Sequence, residues 1–139
     1  MSTQVLRHKL LAGAPVAVFL ALVGCKDVNP LTGESPSNIV FPGTGVSYGR
    51  HVQPLFDQAC NNVGCHDDGQ HESDLKLTSY DNTVRMLPGI VVPNDPDHSV
   101  LVLRIQGSVG TRMPPSGNPL NQNQINGIRA WIAAGAPNN

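Results

Sequence analysis

The chain has 139 residues, room for one domain and an appendage. Its formal net charge is −1, only 14% of its residues are charged, and Lys and Arg cluster on no run, which excludes a nucleic-acid footprint. Aromatic side chains are few (Phe19, Phe41, Tyr48, Phe56, Tyr80 and Trp131), so the chain's own core is thin and a buried apolar body would fill it.

Residues 1–25 read as a targeting segment and stand apart from the fold. Arg7, His8 and Lys9 form a basic start. An apolar run over residues 10–23 follows, about 14 residues long and short of the roughly 18–20 that a spanning helix needs. It ends in Leu22-Val23-Gly24-Cys25, which resembles a bacterial lipobox, so Cys25 is expected to carry lipid. The alternative is an ordinary signal peptide with a chance cysteine, or an uncleaved anchor. Loss of Arg7 and Lys9 with the leader would leave seven basic side chains against ten acidic ones, a formal charge of −3. Lys26 stands after the lipidated position where an Asp would signal inner-membrane retention, which favours the outer membrane.

Residues 26–45 hold Pro30, Gly33, Pro36, Pro42, Gly43 and Gly45 and read as a flexible linker. The folded domain is expected over residues 46–136, all-α, with about four helices and long loops. The first helix carries Val52, Leu55, Phe56 and Ala59 on one stripe, with Pro54 in its first turn. The second spans about residues 80–86, capped by Thr78 or Ser79. The third starts at Asp95-Pro96, an N-cap followed by proline, and runs through Val100, Leu101 and Ile105 to Gly107. The fourth opens on Asn121 and Gln124 as a capping box and lines up Ile125, Ile128 and Ile132, with Trp131 beside them and Gly135 at the end.

The first helix leads into Cys60-Asn61-Asn62-Val63-Gly64-Cys65-His66. Two thiols followed by a histidine suit covalent haem attachment: the thiols add to the vinyl groups and the adjacent imidazole reaches the iron. Four residues separate the cysteines, where the familiar motif has two. The extra pair can bulge as a loop that Gly64 makes free to turn, with Val63 against the ring edge. With Cys25 given to lipid, Cys60 and Cys65 remain as a pair. Without haem that pair would form a disulfide or bind a metal. Zinc would need four ligands, and no second Cys/His pair stands at suitable spacing.

The proximal imidazole should give its other ring proton to a carbonyl that the sequence does not identify. Candidates for the second axial ligand are Met86, Met113, His51, His71 and His98. Met113 lies in Thr111-Arg112-Met113-Pro114-Pro115, where two prolines stiffen the loop and fix its sulfur. Met86 reads as packing, His51 as exposed or capping, and His71 and His98 as solvated.

Several segments carry a family resemblance: His51-Val52-Gln53-Pro54-Leu55-Phe56, Leu75-Lys76-Leu77-Thr78-Ser79-Tyr80-Asp81, residues 92–101, Arg112-Met113-Pro114-Pro115, and Trp131-Ile132-Ala133-Ala134-Gly135-Ala136. Together they resemble a mono-haem class I-type cytochrome c domain of bacterial cell-envelope lipoproteins, over residues 46–136. The resemblance implies one covalent haem c on Cys60 and Cys65, with His66 proximal and Met113 distal on the iron. It also implies an electron carrier and no catalytic residues, working with redox partner proteins. The chain would be held to the membrane by lipid on Cys25, facing the periplasm or outer membrane. Two other classes stay open: a haem enzyme or sensor with a displaceable sixth ligand, and a non-haem lipoprotein with a Cys60–Cys65 disulfide.

Overall fold

A computed structural model describes residues 38–69 and 72–139. The expected signal peptide with Cys25, residues 26–37 of the expected linker, and His71 lie outside the described residues. Four α-helices and no strand organise the described chain: α1 Gln53–Ala59, α2 Tyr80–Val84, α3 Val100–Gln106 and α4 Gln122–Ala133. The all-α class expected from the sequence is the one found. A π-turn, Tyr48–Val52, feeds α1, and a single 3-10 turn, Glu72–Asp74, sits in the loop beyond the motif.

Local chemistry explains most of the helix ends. Pro54 occupies the first turn of α1, where its fixed φ suits the helix and its missing N–H falls at the junction with the π-turn. Ser79 caps α2 by accepting from Asn82 N at 3.3 Å. At α4, Asn121 Oδ1 accepts from Gln124 N at 2.9 Å, and Gln124 Oε1 accepts from Asn121 N at 3.1 Å, completing the capping box. Gly107 ends α3 in the left-handed region at φ 76°.

The start of α3 departs from expectation. Asp95-Pro96 opens a separate turn: Asp95 Oδ1 accepts from His98 N, and Ser99 Oγ donates to Asp95 O at 2.8 Å. The helix begins four residues later, at Val100. Its first N–H groups donate to the carbonyls of Gly89 and Ile90, each at 3.0 Å, so a neighbouring loop replaces the side-chain cap.

The core gathers Val52, Leu55, Phe56, Leu77, Val102, Ile105, Ile128, Trp131 and Ile132. Tyr48 packs edge-on against Tyr80 with ring centres 5.2 Å apart, and lies 5.4 Å from Trp131. Burial pushes the Tyr48 phenol up to about 12. The polar ends of these rings are all met: Trp131 Nε1 donates to Pro137 O, Tyr80 OH to Ala136 O, and Tyr48 OH to Gln53 Oε1.

Both edges of the folded unit lie outside the expected 46–136. Phe41, placed in the expected linker, is only 3% exposed. Its N–H donates to Asn123 Oδ1 at 2.8 Å and its carbonyl accepts from Asn123 Nδ2 at 3.0 Å. At the other end, Asn139 O accepts from Gly49 N at 2.9 Å and Asn139 Oδ1 from Tyr48 N at 2.8 Å.

Phe41 sits in a notch on α4 made by Gly127. A Cβ at that position would fall inside the Phe41 ring. Alanine is the better helix former by about 1 kcal/mol, yet Gly127→Ala is expected to destabilise the fold by about 1–3 kcal/mol through overpacking. Urea unfolding of the variant checks it, and Phe41→Ala in the same background should remove most of the added penalty.

Candidate functional site

The motif loop is closed on itself. Cys60 ends α1, its N–H donating to Phe56 O at 2.8 Å. Cys65 N donates to Asn62 O at 2.9 Å, and His66 N returns to Cys60 O at 3.2 Å. The two extra residues are thereby absorbed in a bulge, with Gly64 at φ 81° and its N–H on Asp67 Oδ2. Val63, expected against the ring edge, is not among the residues that line the cleft. It is 93% exposed at the tip of the bulge. Cys60 and Cys65 are both free thiols. Burial raises the Cys60 thiol to about 12, with the neighbouring Cys65 and Asp57 adding to the effect.

The carbonyl beside His66 belongs to Leu75. His66 Nδ1 lies 3.0 Å from Leu75 O. A carbonyl can only accept, so the ring proton sits on Nδ1 and the Nε2 lone pair is left for a metal. Two residues on, Leu77 N donates to His66 O at 3.0 Å. Leu77 O in turn accepts from Gln53 Nε2 and Asn61 Nδ2, each at 2.9 Å. Both amides also donate to Asp57 Oδ1. This polar brace of Gln53, Asp57 and Asn61 was not picked out from the sequence. Its signal was there, three hydrogen-bonding residues at i, i+4 and i+8 along α1 and the turn that follows it.

Cys60, Cys65 and His66 open into a cleft that Ala59, Ile105, Met113, Pro114 and Pro115 complete. It is open to solvent and its walls are almost wholly apolar, as those of cofactor sites mostly are. The motif and the end of α1 form one side. On the other, α3 supplies Ile105, and Met113 is pinned to that helix by its N–H donating to Arg104 O at 2.9 Å.

The remaining candidates for a second axial ligand are placed elsewhere. His51 Nδ1 accepts from Ser47 N at 3.0 Å and so caps the π-turn. His98 is turned to solvent and bonded to Asp95 Oδ2 at 2.7 Å. Met86, read as packing, is instead 50% exposed. Among the described candidates, only Met113 lines the cleft.

This donor set fits a covalently attached haem. Two thiols could take the vinyl groups, an imidazole presents Nε2, a methionine supplies a thioether sulfur, and the walls between them are apolar enough to receive a macrocycle. Among the described residues there is no group of three or more His, Cys, Asp or Glu that could hold a metal ion directly. One protein-family model, described as planctomycete cytochrome C, matches residues 63–117. That span contains Cys65, His66 and Met113 and opens just after Cys60. The match supports a c-type cytochrome domain. Such a domain binds haem c covalently and transfers electrons. No curated protein and no solved structure matches the chain.

If each cysteine of the c-type motif carries one link, Cys60→Ala should leave haem held by a single thioether. The reduced pyridine complex of the denatured variant should then absorb at longer wavelength than that of the parent. An unshifted spectrum would remove Cys60 from the attachment site.

Proposed function

We propose that the chain is an electron carrier tethered to a bacterial membrane, with one haem c on Cys60 and Cys65 and its iron held by His66 and Met113. One observation carries the reading: the two thiols, the imidazole and the thioether sulfur, drawn from residues as far apart as 60 and 113, line a single apolar cleft. His66 and Met113 would together hold the iron and leave it no open site for a substrate. Such a pair also sets a higher reduction potential than two histidines would. The haem supplies the one-electron ferric/ferrous couple. The chain keeps the imidazole oriented by holding a proton on Nδ1 against Leu75 O. Ala59, Ile105, Pro114 and Pro115 keep water from the ring.

The tether is argued from the sequence. The basic start, the short apolar run and Leu22-Val23-Gly24-Cys25 support lipidation of Cys25. No helix among the described residues is long and apolar enough to cross a membrane. Residues 26–37, at about 3.3–3.6 Å each, would let the domain stand up to roughly 40 Å from the lipid. Its partners would be redox proteins in the cell envelope that dock within that reach.

The ferric protein should show the charge-transfer band of methionine ligation, and Met113→Ala should abolish it and lower the midpoint potential. An unchanged band in the variant would overturn Met113 as ligand. Cys25→Ser should move the protein from the membrane pellet to the soluble fraction of cells while leaving its haem spectrum intact, and persistence in the pellet would overturn the lipid anchor.

A further inference from the structure

Charge is divided unevenly around the cleft. Within two residues of its lining, the motif side carries Asp57, Asp67 and Asp68 and no Lys or Arg. The α3 side carries Arg104 and Arg112 and no Asp or Glu. The two arginines share one turn. Gly107 and Gly110, at φ 76° and 59°, fold the chain back on the end of α3. The stem of Arg112 lies over Gly107, where a Cβ would stand 3.2–3.3 Å from its carbons. The Arg104 guanidinium rests against Gly110, with Nη1 3.4 Å from Val109 O.

Among the described residues neither arginine forms an ion pair, whereas Arg85 is paired with Asp81 and Arg129 with Asp97. Bringing two like charges to one turn is unfavourable unless an anion joins them. A haem c carries two propionates at the edge of the macrocycle away from its vinyl carbons. Thioether links to Cys60 and Cys65 would fix the vinyl edge on the acidic side of the cleft. The carboxylates would then be directed away from Asp57, Asp67 and Asp68, whose charge they share. The geometry points to Arg104 and Arg112 as a two-guanidinium clamp for the haem propionates. Guanidinium suits the task, since its planar fork matches a carboxylate with two parallel N–H donors. Met113 lines the cleft, next to Arg112 in sequence and bonded to the backbone of Arg104. The same segment would thus hold the iron and the carboxylate edge together. This inference rests on the haem reading of the site.

Resonance Raman spectra of the holoprotein test it, because the bending bands of the propionates respond to their hydrogen bonding. Arg104→Gln and Arg112→Gln should each shift those bands to lower frequency, and the double variant should shift them further. Arg112→Lys should recover part of the shift, and Arg50→Gln, in the π-turn, should leave the bands where they were. Arg112 is exposed, so its truncation leaves the core intact. Bands unmoved in both single variants and in the double variant overturn the clamp while the haem stands. A parent protein whose pyridine spectrum shows no covalent haem overturns the haem reading and the clamp with it.

Discussion

The cleft depends on one hydrogen bond, from His66 Nδ1 to the carbonyl of Leu75. It fixes the tautomer, turns the ring, and leaves Nε2 as the free nitrogen. The carbonyl would be a poor anchor if the segment around it moved. It does not stand alone, because Leu77 closes a second bond to His66 O and is itself gripped by Gln53 and Asn61. Helix α1, the motif loop and residues 75–77 therefore behave as one piece. The brace carries one cost, since Asn61 Oδ1 is left buried without a donor, a penalty of about 1–3 kcal/mol.

The second side of the cleft is built on different principles. Apolar burial sets it: α3 packs on α4, Val102 and Ile105 share a core with Ile128, Trp131 and Ile132, and the Met113 loop follows α3 through a backbone bond. Few aromatic residues are available, and three of them, Tyr48, Tyr80 and Trp131, are spent on a cluster beneath the helices. The cleft itself is walled by small or stiff side chains, Ala59, Pro114 and Pro115, with Ile105 and Met113. A flat apolar macrocycle would therefore act as the missing core residue, burying surface that the chain alone leaves open.

What was legible in the sequence was mostly local. Pro54, Ser79, Asn121 with Gln124, and Gly107 act within one turn of their own position, and each marks a helix end that is found. The motif and the Met-Pro-Pro segment were legible because their chemistry is unusual. What escaped depends on distant partners. Asp95-Pro96 has the look of a helix start, but the carbonyls of Gly89 and Ile90 win the first N–H groups of α3. Phe41 sits among turn-forming residues and reads as linker, yet Gly127, far along the chain, leaves the notch that buries it. Val63 is apolar, but in a bulge closed by Cys60 O and His66 N it has nowhere to go except outward.

The seating of Phe41 has a mechanical meaning. Asn123 grips its backbone from both sides, and Gln124 Nε2 donates to Ile39 O at 3.2 Å. A pull on the chain ahead of residue 38 is therefore borne first by the opening turn of α4, through side-chain amides and a wedged ring. The motif lies at the far end of α1, about 10–12 Å along the helix from the π-turn where His51 meets Phe41. Tension on a leash would load the anchorage and spare the imidazole, so the domain could be tugged and reoriented without disturbing the geometry on which electron passage depends.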